Sequence, residues 1–319
     1  MKRFSVFLGI LISLALLFLL FYRINLSQFL AAFQKANYYY AFLIIVVVFA
    51  GCYLRALRWR WIIRPLKDIP AASLFIATVI GYMANSLLPA RMGEFVRAHV
   101  IGRREGISRA ASFATIIVER LFDGLSILVI LVLILFWIEI PIRGALIAAA
   151  WSALVLYLLI IAVIILFIYK KELVLKLFGF VFRFLPERAQ QRFLSVVGSL
   201  AQGFKIAEKG HHLLIIIFYS FLIWIVTALG IYLIVLAFGY QISYLAAMFI
   251  LVLLTFAVML PSSPGFVGTF EAGMVYGLMI FNLPRETALS AALVFHGLSF
   301  IPIILLGFYY LWKYKLSIR

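Results

Sequence analysis

Glu119, Arg120 and Asp123 stand inside an apolar run, Ala110 to Ile138, and are the residues of this chain best placed to do chemistry. Charged side chains at bilayer depth are costly and persist where they pair with one another or line a pathway. A helix starting near Ala110 carries the three ~13–20 Å inward at ~1.5 Å per residue, close to the middle of a ~30 Å hydrocarbon layer. Glu119 and Asp123, four apart, share one helix face. Arg120 projects about 100° away from Glu119, toward whatever packs beside it. The trio could bind a headgroup, carry a proton, or lock helices together, for example through an Arg120 to Glu94 pair. His296, ~15 Å into the last apolar run by the same rise, is either a satisfied buried histidine or a protonatable partner opposite Glu119 or Asp123.

Two interruptions must position these groups. The first runs from Asn85 through Pro89, Arg91, Gly93 and Glu94 to Arg97; the second runs from Pro261 through Ser262, Ser263, Pro264, Gly265 and Gly268 to Glu271. Backbone that leaves a helix at membrane depth survives only where protein or water satisfies it. Paired Gly/Pro breaks in two halves point to a transporter's substrate site. Pro89, Gly93, Pro261, Pro264, Gly265 and Gly268 are the expected break residues. Arg91, Glu94, Arg97, Arg120, Asn85, Ser262 and Ser263 are the substrate-binding candidates, because helix starts favour anions and an arginine fork binds phosphate in bidentate fashion. Asn85 and the serines serve equally as backbone caps, and Arg91 and Arg97 equally as topological anchors. Glu119, Asp123, Glu271 and His296 form the proton-coupling or polar-network set, with Glu271 favoured as a pair or cap.

The chain that carries these residues belongs in a bilayer. Of its 319 residues 67% are hydrophobic and 12% charged, and its mean hydropathy is +1.18; a soluble core cannot hide that surface. The net charge of +17 lies in gaps between apolar runs, which excludes nucleic acid as the explanation. The single Cys52 rules out an intramolecular disulfide, and no metal spacing, nucleotide loop or nucleophile motif occurs, so no metal or cofactor is expected.

Apolar runs predict helices over about Phe4–Tyr22, Tyr38–Trp59, Ala110–Ile138, Gly144–Tyr169, Leu213–Phe238 and Thr287–Lys313. A short segment with Arg23 and Lys35 joins the first two. Arg55, Arg58, Arg60, Arg64 and Lys67 then read as a cytoplasmic basic cluster. Ser108 is the expected cap of the third helix. If residues 70–109 turn back as a re-entrant region, 23 of the 28 basic residues fall on the cytoplasmic side; a full crossing would move eight of them outside, against the positive-inside bias. Within the cytoplasmic loop 170–212, Phe193, Val196, Val197, Leu200 and Phe204 predict an interfacial amphipathic helix. The second broken region, 243–284, is two thin crossings or one hairpin. The fold expected is an all-α polytopic membrane protein of about six to eight transmembrane helices plus re-entrant helical hairpins, arranged as inverted repeats in one transmembrane domain. Both termini are expected in the cytoplasm and the chain in the plasma or inner membrane, with an uncleaved first helix.

Leu88-Pro89-Ala90-Arg91-Met92-Gly93-Glu94 with Arg97, Val118-Glu119-Arg120-Leu121-Phe122-Asp123-Gly124, Pro264-Gly265-Phe266-Val267-Gly268-Thr269-Phe270-Glu271, and Pro302 before Gly307 resemble the flippase-like membrane family that includes the membrane region of lysylphosphatidylglycerol synthases. The resemblance covers essentially the whole chain. It implies movement of a lipid with an anionic, aminoacylated or glycosylated headgroup between leaflets. Two departures bear on the substrate: family members often show two glycines where Gly265-Phe266 stands, and often an arginine at His296. The synthases add a soluble aminoacyl-transferase domain, and none is visible after Arg319, so aminoacyl transfer is not expected of this chain. The alternative is a membrane enzyme, or an enzyme's membrane subunit, acting on a phospholipid or polyprenyl-phosphate lipid with Glu119, Asp123 and His296 as acid and base. The expected partners are those membrane lipids; a homodimer and a separate lipid-modifying enzyme are compatible with either reading.

Overall fold

The computed structural model describes residues 2–22, 24–88, 92–139, 143–169, 186–187, 190 and 210–315. Among the described residues the protein is all-α. Its helices are α1 (Lys2–Phe21), α2 (Leu26–Lys35), α3 (Tyr39–Ile63), α4 (Ala71–Leu87), α5 (Gly93–Glu105), α6 (Arg109–Leu135), α7 (Arg143–Tyr169), α8 (Gly210–Ala237), α9 (Tyr244–Ala257), α10 (Thr269–Ile280) and α11 (Arg285–Lys313). By length and composition α3, α8 from His211, and α11 can each cross a membrane, and α1 meets α2 at 91°. Helices α6 and α7 are comparably long, at 27 residues each.

Helices α4, α5, α9 and α10 have 17, 13, 14 and 12 residues. At ~1.5 Å per residue none reaches ~30 Å. They work in pairs. Arg104 of α5 donates to Ser73 of α4 at 3.1 Å, and Lys67, just before α4, bridges to Glu105 at 3.3 Å. Deeper, a Cβ on Gly81 would lie 2.9 Å from that of Arg97, and Asn85 accepts from the Gly93 amide at 2.7 Å. The chain therefore goes in along α4 and returns along α5 to the level it left. The second break repeats the pattern: Gly277 packs on Ile250 and Gly273 on Leu254, so α9 and α10 form a short antiparallel hairpin. The tips meet, with the Gly265 Cβ position 3.3 Å from the Ser86 carbonyl.

The two halves are inverted copies in their packing. Along α3 and α8, Trp61 contacts His212, Arg58 contacts Ser220 and the Asn37 amide bonds Ala237, so the helices run antiparallel. Each partnership of α3, α4, α5 and α6 then has a counterpart among α8, α9, α10 and α11. Helix α3 packs on α4 as α8 does on α9, α5 on α6 as α10 does on α11, and α4 on α11 as α9 does on α6.

Three sequence expectations change. The segment after α1 is itself a helix, α2, begun by Asn25, whose side chain accepts from the Ser27 and Gln28 amides. Helix α3 continues to Ile63 instead of ending near Trp59, because Trp61, Ile62 and Ile63 carry the apolar pattern past the arginines. The second break is strapped by α1: Ser13 Oγ accepts from the Ser263 amide at 2.9 Å, and Gly268, at φ +88°, leaves only 2.6 Å between its Cβ position and the Ser13 carbonyl. Phe266 holds φ +60°, the left-handed region that glycine enters freely; this is the position at which the resembling family often places a second glycine. The amphipathic helix expected within 170–212 lies outside the described residues, as do Pro89 and Arg91.

Gly93 generates a prediction. Its Cβ would stand 2.0 Å from the Gly81 carbonyl oxygen, a backbone atom that cannot swing away. Gly93→Ala should destabilise the detergent-solubilised protein by ~1–3 kcal/mol or more, the range for overpacking, whereas Gly144→Ala, with open space around it, should be neutral. Equal thermal midpoints for the two variants would refute this account of the hairpin.

Candidate functional site

Glu119 lies ten residues into α6 and is completely buried. Arg97 of α5 grips it in bidentate fashion, with Nη1 and Nη2 each 3.0 Å from one carboxylate oxygen. Arg58 of α3, also fully buried, stands 3.2 Å from Glu119 and 2.6 Å from Asp123, and donates to Ser220 of α8 at 3.0 Å. Arg120 closes the set at 3.4 Å from Glu119, 3.2 Å from Asp123 and 3.2 Å from Glu94. Three guanidiniums on three helices thus face three carboxylates, with Ser220 of α8 beside them. Such a lattice repays desolvation only when its geometry is good and its hydrogen bonds are made.

The surroundings hold it in place. The Arg97 guanidinium stacks 3.7 Å over the Trp59 ring, whose indole donates to Thr115 at 2.9 Å. Gly124 leaves room for Tyr157 of α7, whose hydroxyl donates to the Leu121 carbonyl at 3.1 Å. Along α6, Ile116 and Val118 belong to one apolar cluster and Ile127 and Leu128 to another, so the charges occupy the junction between two cores. The lattice is balanced in charge but short of acceptors: Arg58 Nε and Arg97 Nε have no hydrogen-bond partner among the described residues.

A second, separate polar pair sits in the other half. Glu271 Oε2 accepts from the Gly268 amide at 2.7 Å, which caps α10, while Oε1 meets His296 Nδ1 at 2.5 Å. Phe270 and Phe300 flank the imidazole, each with centroids 4.3 Å away. The pair is the inverted counterpart of Glu94 with Arg120: a glutamate at the start of the hairpin's second helix, a basic residue on the next. Glu271 comes 177 positions after Glu94, and His296 comes 176 after Arg120.

The sequence candidates therefore divide. Glu94, Arg97, Glu119, Arg120 and Asp123 come together, and the Arg120 to Glu94 pair is present. His296 faces Glu271 instead of Glu119 or Asp123, because it rides on the helix that packs against the second hairpin. Arg97 points inward to Glu119, away from the surface an anchor would occupy. Asn85 is used as a cap for Gly93, and Ser263 is tied by its backbone to α1. Arg58 does not join the cytoplasmic cluster expected from the sequence; it faces α6 and α8, which bury it, while Arg60, about 200° further round the helix at ~100° per residue, pairs with Asp68 at the surface. The signal for Arg58 is the aromatic and aliphatic run that continues after it. Arg55 is half-buried, donates to the Gly51 carbonyl at 3.1 Å, lies 5.9 Å from the Tyr82 ring centroid, and has no carboxylate partner among the described residues.

Residues 6–307 match the family described as the lysylphosphatidylglycerol synthase TM region. The chain belongs to that family. It is 29% identical to a UPF0104 membrane protein of Methanothermobacter thermautotrophicus over 86% of each chain. It is 22% identical to the UPF0104 membrane protein PH1989 of Pyrococcus horikoshii over 98% of each. A stretch covering 40% of the chain is 30% identical to 20% of glycosyltransferase AglD of Haloferax volcanii. Of the four motifs, the second is the charged turn of α6, the third lies between α9 and α10, and Gly307 of the fourth receives Met83 of α4 against α11.

Glu119→Gln would leave three arginines, two of them buried, facing only two carboxylates. Removing one partner of a buried ion pair costs ~3–5 kcal/mol, so this family member should lose that much stability in thermal unfolding. His296→Arg should be tolerated, since it recreates the Glu94 to Arg120 pairing in the second half. A Glu119→Gln protein that unfolds with the native profile would show that the lattice contributes nothing.

Proposed function

We propose that the protein translocates a lipid with an anionic, aminoacylated or glycosylated headgroup between the leaflets of its membrane. One observation carries the reading: a lattice of three arginines and three carboxylates sits at bilayer depth, beside a re-entrant hairpin whose tip meets its inverted counterpart. Permanent charge is retained at that depth chiefly where it serves a pathway, and inverted repeats with broken helices place a substrate between their halves. The reachable part of the lattice is Arg120, with 35% of its side chain exposed, and its partner Glu94, with 24%. A headgroup phosphate can replace a carboxylate on Arg120 by charge-assisted hydrogen bonds. The acyl chains stay among the apolar helix faces while the halves rock.

The family's name and the partial likeness to a glycosyltransferase favour one second reading, that of a membrane subunit serving a lipid-modifying enzyme. Vesicles containing the purified protein and a fluorescent phosphatidylglycerol separate the two. Translocation predicts transfer between leaflets at unchanged lipid mass. Arg120→Gln and Asp123→Asn should each bring the rate close to that of protein-free vesicles, while Arg60→Gln, at an exposed pair, should leave it unaltered. A mass change would favour the enzyme reading, and full transport by both lattice variants would refute the site.

A further inference from the structure

A groove of about 340 Å³ lies between α5 and α6, lined by Phe95, Ala98, His99, Arg109, Ala110 and Phe113. Phe95 and Phe113 stack at 4.5 Å to form its apolar part, and Phe95 is 57% exposed. Polar groups occupy the end near the α5–α6 turn. Arg109 begins α6, and Arg103 comes one helical turn after His99 on the same face of α5. Neither arginine has an ion-pair partner among the described residues. His99 Nε2 is buried without a hydrogen-bond partner among those residues. Arg109, Arg103 and His99 thus cluster beside a groove whose open lining is apolar and aromatic.

Its direction matters. Helix α5 runs outward from the hairpin tip and α6 runs back inward. Spacings of four and seven keep Arg109, Phe113 and Arg120 on one face of α6, with Arg120 ~16 Å deeper than Arg109 at ~1.5 Å per residue. The Phe95 and Phe113 rings stand between the surface arginine and the Glu94 to Arg120 pair.

We infer that the α5–α6 seam is a lateral docking groove for an anionic phospholipid: the phosphate rests on Arg109 and His99, an acyl chain lies along Phe95 and Phe113, and Arg120 is the next cation inward. The inference rests on the translocation reading only for the passage of the lipid after docking; occupancy of the groove stands without it. A phospholipid is the occupant because the cationic end continues into exposed aromatic surface, which a free phosphate would leave uncovered.

The test places p-azidophenylalanine at Phe95 in the full chain, within vesicles of phosphatidylglycerol and phosphatidylcholine in equal amounts, and reads photo-adducts by intact mass. Phosphatidylglycerol adducts should exceed phosphatidylcholine adducts about fivefold, as expected for one basic group near a headgroup. Adding Arg109→Gln together with His99→Gln should bring the ratio near one, with the elution profile unchanged. Equal labelling in the parent, or selectivity that survives the double substitution, overturns the groove. Leaflet transfer measured in the same vesicles is a separate readout: transport without selective adducts refutes the groove alone, and selective adducts without transport refute translocation alone.

Discussion

Everything in this fold accommodates the cost of keeping Glu119 ionised inside a bilayer. A bare carboxylate there would carry a desolvation penalty of several kcal/mol. The protein offsets it with Arg97, Arg58 and Arg120, delivered by three different elements. Each arginine then needs acceptors of its own, which Asp123, Glu94 and Ser220 supply. Helices α3, α5, α6 and α8 are therefore bound to one another by charge as well as by packing. Few other arrangements of these helices satisfy all six charges together.

That constraint accounts for the hairpins. A complete crossing could not bring the start of a helix to the middle of the membrane, where Glu94 and Arg97 are wanted. A helix that goes half-way, turns and returns can. The turn demands close backbone approach, met by Gly81, Gly93 and the Asn85 cap in the first half and by Gly268, Gly273 and Gly277 in the second. The inverted packing repeats the device but changes its chemistry. The first half pairs a glutamate with arginine, whose charge is fixed, and the second pairs a glutamate with histidine inside an aromatic cage. The halves thus share geometry and differ in the basic residue that meets the glutamate.

The reachable surface adds a direction. Arg58 and Glu119 are sealed, so the lattice is open chiefly at Arg120 and Glu94, along the same α5–α6 seam that carries the groove. Family membership gives the architecture; within it, the proposed translocation uses the exposed fringe of this buried lattice.

Membrane residence, the two breaks, the charged turn of α6 and the re-entrant first hairpin were legible in the sequence, because each is dictated by composition, by Gly/Pro placement or by the distribution of basic residues. So was the Ser108 cap, which depends on local spacing; the Arg120 to Glu94 pair, which joins two helices, was one of several roles the sequence left open for Arg120. What the sequence left open was decided by packing between distant segments. Arg58 looks like its neighbours Arg55 and Arg60 until α3 is laid antiparallel on α8 and against α6, which buries one side of the helix and leaves the other outside. His296 could have faced either carboxylate system, and the helix it rides on settled the matter by packing against α10. Local spacing fixes which residues share a face, but only the tertiary arrangement fixes what that face meets.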